Sequence, residues 1–158
     1  MRLSAIVRAF CLLILGSGAS AAPVAVDWTK TITEMPDGTF VMGDPDAPVK
    51  LVELASLTCP HCASFDAASA VPLAETYIKP GKVSYAIHNF VRDPYDMAAA
   101  LIARCGGPAH YYPMTHAILA AQPAWLAKMS ALPQDQLDAL QAKSPEEQLV
   151  AIGQFLQS

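Results

Sequence analysis

Apolar residues follow two patterns along this chain, and the change comes near Pro94. Before it they form short, dense runs. Lys50 to Leu57, with Val49 just ahead, holds Leu51, Val52 and Leu54, the near-continuous run expected of a buried strand. Val83 to Val91, with Val83, Tyr85, Ile87 and Phe90, predicts a second strand. Thr39 to Met42 predicts a short one after the Pro36-Asp37-Gly38 turn. Between Met42 and Val49 the segment Gly43-Asp44-Pro45-Asp46-Ala47-Pro48 reads as a loop, because its prolines resist both helix and central strand. A helix is expected from Pro60 to Ile78, starting on a proline whose missing N–H costs little in a first turn. Pro72 should kink or divide it, and Pro80-Gly81 should end it. Val24 to Met35 shows no period that assigns an element.

After Pro94 the pattern is helical. Met97 to Cys105 predicts one helix, stopped by Gly106-Gly107, and His110 to Ala121 another. Pro123 to Met129 predicts a short third, and Pro133 to Lys143 and Pro145 to Gln157 two more. Ser144 and Glu147 have capping-box spacing, and Leu149, Ile152, Phe155 and Leu156 make an apolar stripe. The chain carries no internal repeat and no low-complexity linker.

Composition and charge narrow the class. Met1 to Ala22 has the form of a secretory signal: Arg2 and Arg8 are basic, Phe10 to Leu15 lies in a short apolar core, and Ala19-Ser20-Ala21 is an A-x-A cleavage site. The apolar run is well short of the roughly 20 residues a spanning helix needs. Cleavage after Ala21 is expected, and Cys11 would be discarded with the signal. What remains has eight basic and 14 acidic residues, a net charge of −6 with histidines neutral. That balance offers no basic patch for nucleic acid. The 137 remaining residues suit one domain, and 53% hydrophobic composition can supply a core.

Cys59-Pro60-His61-Cys62 carries the chemistry. Two cysteines two residues apart at a strand-to-helix junction can form a small disulfide that opens and closes. The first sulfur would lie at a helix N-terminus, where free N–H groups and the helix dipole favour an anion. His61 can add a positive charge beside it. A thiolate stabilised in this way leaves readily, so the disulfide is oxidising. Half of a zinc site is an alternative, but tetrahedral zinc takes four ligands, usually two such pairs. The remaining chain offers Cys105 and, without matching spacing, His88, His110 and His116. A purely structural disulfide would span one helical turn and constrain almost no chain entropy. Cys105 is expected as a small buried apolar residue, with a regulatory or intermolecular disulfide as the alternative. Met97, Met114 and Met129 read as core or groove filling.

The Cys-Pro-His-Cys motif after a buried strand, in an exported chain, resembles the DsbA family of bacterial thiol:disulfide oxidoreductases. The segment Gly43 to Pro48 leading into Val49 to Cys62 is similar to that family's approach to its active site, and the resemblance is close from Phe40 to Val91. It implies an α/β, thioredoxin-like strand–helix–strand unit with an inserted helical domain. The corresponding domains are a signal peptide at 1–21, the thioredoxin-like part at 22–93 and the helical part at 94–158. Glu53, six residues before Cys59, falls where this family commonly carries a buried carboxylate under the catalytic pair, which makes it the candidate proton relay to Cys62. The family then places a cis-proline loop, two further strands and a final helix after the insertion. No Thr-Pro or Val-Pro pair leads into a late strand here, so the C-terminal part of the core is expected to be missing. The sheet edge and apolar surface that those elements cover would be left open, and a homodimer could close them.

The resemblance implies a periplasmic enzyme that introduces disulfides into exported proteins through Cys59 and Cys62, with Pro60 and His61 setting the potential. Its partners would be reduced exported proteins and a membrane quinone-linked thiol oxidase, with no bound cofactor and no metal. A reductase or isomerase using the same pair is one alternative, since direction depends on the partner's potential. A catalytically impaired fragment acting as a non-enzymatic binding protein is another.

Overall fold

A computed structural model of the protein describes residues 26–156; the signal-like segment and Cys11 lie outside it. A 3-10 turn at Trp28–Lys30 leads into strand β1 (Ile32–Glu34). Strand β2 (Phe40–Met42) follows, then β3 (Val49–Ala55), helix α1 (Pro60–Leu73), a π-helical turn (Ala74–Ile78) and β4 (Val83–Asn89). Four helices complete the chain: α2 (Pro94–Arg104), α3 (Pro108–Ser130), α4 (Gln134–Gln141) and α5 (Pro145–Leu156).

The strands form one sheet in the order β1-β2-β4-β3. The strand–helix–strand unit is present as expected: β3 and β4 run parallel from Val49↔Val83 to Ala55↔Asn89, with α1 in the crossover. Strand β1 falls in the stretch that shows no sequence period. Its three residues pair antiparallel with β2, and Ile32 packs against the core. Gly43 turns the chain from β2 towards β3 at φ +115°, and a Cβ there would lie 2.8 Å from the carbonyl oxygen of Val83, so only glycine fits without strain.

One face of the sheet carries the core. Phe40, Val83, Tyr85 and Ile87 pack against Ala99, Ala100 and Ala103 of α2 and Tyr111, Tyr112 and Leu119 of α3. Tyr111 and Tyr112 are fully buried and meet edge to face, ring centroids 5.3 Å apart. The Tyr112 hydroxyl lies 2.8 Å from the Phe40 carbonyl oxygen and 2.6 Å from that of Tyr85, tying α3 to the two strands it covers. On the opposite face Val41, Val52, Ser84 and Ala86 line a shallow cavity of about 180 Å³.

Two expectations about helices need correction. The segments predicted as separate helices at His110 to Ala121 and Pro123 to Met129 form one helix of 23 residues that runs through Pro113 and Pro123. Tertiary burial outweighs the lost hydrogen bonds: Tyr111, Thr115, Leu119, Gln122, Trp125 and Met129 repeat every three or four residues along one buried stripe. Pro72 does not divide its helix. The α-helix continues to Leu73 and then widens into the π turn, where the Lys79 N–H reaches the Ala74 carbonyl oxygen at 2.8 Å. The capping box is formed, with Ser144 N–H donating to the Glu147 carboxylate at 3.0 Å and Glu147 N–H lying 3.4 Å from the Ser144 hydroxyl.

Candidate active site

The site is the start of α1. Cys59 is the N-cap residue, in extended conformation, and no side-chain cap occupies the free N–H groups of the first turn. Pro60 takes the first helical position. The Cys59 carbonyl oxygen accepts from Ala63 N–H at 3.1 Å, which fixes the residue at the helix end. Its thiol pKa is held below the ordinary cysteine value, first by the backbone N–H of Cys62, then by the Cys62 thiol, and less by the His61 N–H and the Arg92 charge. His61 thus reaches this sulfur through its backbone, while its ring is exposed; the cation near the sulfur is Arg92.

Cys62, one turn on, packs against the core cluster. Burial pushes its thiol up, the Ser56 N–H opposes that push, and the Cys59 and Glu53 charges add to it. The two sulfurs are therefore split: the outer one favours the anion and the inner one favours the thiol. Glu53 stands half-buried on β3, with its carboxyl raised mainly by burial. The Tyr85 hydroxyl donates to that carboxylate and opposes the rise. All of the residues singled out by sequence, Glu53, Cys59, Pro60, His61 and Cys62, thus lie at the end of β3 and the first turn of α1.

Other expectations fare differently. Cys105 is exposed, not buried: it caps the C-terminal end of α2 and lines an apolar groove between α2, α3 and α5 with Ile102, Met114 and Leu156. The helix ends at Arg104, so residue 105 is carried past the buried alanine face. Met129 is core and Met114 lines that groove, as expected, whereas Met97 is exposed. His116 pairs with Asp66 at 2.6 Å, His110 contacts the Gly106 carbonyl oxygen, and His88 lies 3.4 Å from the Thr39 hydroxyl. Among the described residues no three His, Cys, Asp or Glu side chains are grouped to hold a metal ion, and no helix is long and apolar enough to cross a membrane.

Sequence reasoning missed the residues that hold the cysteine loop. Ser56, Leu57 and Thr58 are buried, although they form the turn between β3 and α1. Asp96, 1% exposed, accepts from the Leu57 N–H at 2.8 Å and the Ser56 hydroxyl at 2.6 Å. Gln122, 2% exposed, donates to the carbonyl oxygens of Leu57 and Cys59 at 2.7 and 3.1 Å. Asp93 caps α2 by accepting from Asp96 N–H at 2.8 Å. The Asp93-Pro94 pair, an N-cap ahead of an N1 proline, was the one visible signal in the sequence, and it would have started this helix earlier than Met97.

The fold agrees with known proteins. The family model described as Thioredoxin matches residues 36–154, and the chain belongs to that family. Within it the relatives are DsbA-like. A protein of Rickettsia conorii named as a protein-disulfide oxidoreductase is 32% identical over 98 residues, which is 62% of this chain and 35% of that protein. The chain therefore matches about a third of the length of such relatives. A protein-disulfide isomerase from Novosphingobium aromaticivorans superposes with a TM-score of 0.68 at 32% identity, over 74% of this chain and 60% of that one. The alpha-DsbA1 of Wolbachia pipientis gives 0.54 at 27% identity, over 76% and 67%. The α/β thioredoxin-like fold expected from the sequence is the fold observed.

Proposed function

We propose that this protein is a thiol:disulfide oxidoreductase that introduces disulfides into exported proteins through Cys59 and Cys62. The observation that carries the reading is the split between the two sulfurs: a thiol held low at a helix N-terminus, beside a partly buried thiol packed against the core and held high. A substrate thiolate attacks the Cys59 sulfur of the disulfide, the Cys59–Cys62 bond breaks, and Cys62 leaves and takes a proton. A second substrate thiolate then attacks the substrate sulfur of the mixed disulfide and expels Cys59 as the stabilised thiolate. Two electrons pass to the pair and one disulfide forms in the substrate. Glu53, its carboxyl raised by burial, supplies the proton to Cys62 in this reading. Exposed Phe65, one turn beyond Cys62, offers an unfolded substrate apolar surface next to the pair.

The reading includes export, with cleavage after Ala21, and action in the periplasm, where disulfides persist. A membrane quinone-linked thiol oxidase would reoxidise the pair, and a second copy of the chain would cover the open edge of β3. An isomerase role is the second reading, favoured by the name of the Novosphingobium aromaticivorans relative. The test is trapping. In a Cys105→Ser background, Cys62→Ser mixed with an unfolded protein whose thiols carry thionitrobenzoate should expel the thionitrobenzoate and hold that protein as a mixed disulfide on Cys59. Cys59→Ser in the same background, left with only the core-packed Cys62, should hold far less. A Cys59 that titrates near the free value of about 8.5 and traps nothing would overturn the reading.

A further inference from the structure

The loop bearing Cys59 is held from outside its own strand–helix unit. Gln122 of α3 uses both hydrogens of its buried amide on the Leu57 and Cys59 carbonyl oxygens, so it grips the backbone on either side of Thr58. Arg92, in the loop between β4 and α2, lays its guanidinium along the same turn: Nε donates to the Ser56 hydroxyl at 2.8 Å and Nη2 to the Thr58 hydroxyl at 2.9 Å. Asp96 of α2 holds the other side, accepting from Leu57 N–H, Ser56 and the Arg92 backbone N–H. Asp93 accepts from the Thr58 hydroxyl at 3.0 Å. Every polar atom of the turn named here is bonded to a residue beyond β4's strand residues.

We propose that Arg92, Asp96 and Gln122 are positioning residues that tune the redox pair, so that residues outside its own strand–helix unit set how strongly Cys59 oxidises. The inference rests on the function proposed above. Its logic is differential. In the disulfide form the bond to Cys62 itself fixes the Cys59 sulfur. In the reduced form nothing covalent does, and the thiolate is stabilised only while its sulfur stays aimed at the N–H groups of the first turn of α1. A loosened loop therefore weakens the thiolate and leaves the disulfide almost untouched. Arg92 contributes in a second way, as a cation whose charge favours the Cys59 thiolate, with Asp96 4.0 Å from its Nε. The other titratable groups facing the sulfur are His61 and Cys62 on α1, with Glu53 of β3 beyond Cys62.

The experiment uses the full chain with Gln122→Leu, Arg92→Gln and Arg92→Lys. Thiolate absorbance is followed against pH, the disulfide is equilibrated with a glutathione series, and melting is recorded for both redox forms. Gln122→Leu and Arg92→Gln should each raise the Cys59 midpoint by about half a pH unit and shift the glutathione equilibrium about threefold towards the disulfide. The reduced form should lose more melting temperature than the oxidised one. Arg92→Lys, which keeps the charge and loses the fork, should recover part of the shift. Should Gln122→Leu fail to fold, Arg92→Gln carries the test, since that side chain is 42% exposed. A depressed wild-type midpoint with unmoved variants, and equal melting losses in both forms, would overturn the inference and leave the function standing. A wild-type midpoint near about 8.5 would overturn both.

Discussion

Strands β3 and β4 lie side by side, pair over seven residues in parallel and have similar apolar content, yet they occupy opposite environments. In β4 the first five residues are buried, Ser84 included. In β3 Val49, Val52 and Leu54 are 53, 52 and 69% exposed. The difference is position. β4 is flanked by β2 and β3 and covered by α2 and α3, whereas β3 has β4 on one side and no partner on the other among the described residues. An apolar run thus reports what a strand is built to be buried by, not what buries it. The run from Lys50 to Leu57 reads as a buried strand, and only its C-terminal end, Ala55 to Leu57, is buried here. That end is the one that carries the chain into Cys59, so the buried end of the run is the part the site uses.

The largest effect should separate the two strands directly. Ile87→Ala in β4, at a side chain 2% exposed, should cost about 3 kcal/mol, by lost transfer energy and the cavity left against α2 and α3. Leu54→Ala in β3, one position from Ile87's ladder partner Glu53, should cost under about 0.5 kcal/mol. Chemical denaturation of the two variants measures the ratio. Equal losses would mean that β3 is buried in solution by something that the monomer does not supply.

That alternative has its own test, with a smaller effect on the monomer. Val52 and Leu54 share one face of β3, and an exposed, apolar, unpaired strand is a template for association. Sedimentation velocity should show concentration-dependent association of the wild-type chain. Val52→Lys with Leu54→Lys should abolish it while changing monomer stability by no more than about 1 kcal/mol. A monomer at every concentration would rule out the homodimer and show that charge on Lys50 and the twist of the edge suffice to protect it.

Much of this molecule is legible in its sequence because local rules carry it. The Cys59-Pro60 junction, the Pro80-Gly81 stop, the Ser144–Glu147 box and the parallel pair all follow from residue types a few positions apart. What stayed hidden depends on contacts distant in the chain. β1 exists through pairing with β2, and α3 runs through two prolines because a buried stripe holds it. Asp96 and Gln122 look like ordinary helix residues until folding brings them 39 and 65 positions back to Leu57. The cysteines were visible as a motif; the residues that aim them were not, because an acid or an amide at a helix position shows no sign of its distant partner.

Glu53 joins the two strands and gives the smallest and most specific expectation. Its side chain shares the helix-covered face of the sheet, its ladder partner is Ile87, and the Tyr85 hydroxyl of β4 donates to it. Burial raises its folded pKa above the ordinary value of 4.5. The folded state then binds more protons than the unfolded chain across the window between those two values, so its contribution to stability is greatest below about pH 4.5 and is lost as pH rises through the folded pKa. Glu53→Gln keeps an acceptor for Tyr85 and removes the ionisation. The stability of the variant minus that of wild type should therefore climb from about pH 4.5 upward and level off, by no more than about 1 kcal/mol. Since the Glu53 charge also raises the Cys62 thiol, the variant should titrate Cys62 at lower pH in the reduced protein. Denaturation curves at a series of pH values measure the first effect, and alkylation of Cys62 in a Cys59→Ser, Cys105→Ser background measures the second. A flat difference curve would mean that water reaches the carboxylate from the open side of β3, making Glu53 behave like the exposed residues of its own strand and not like the buried ones across the ladder.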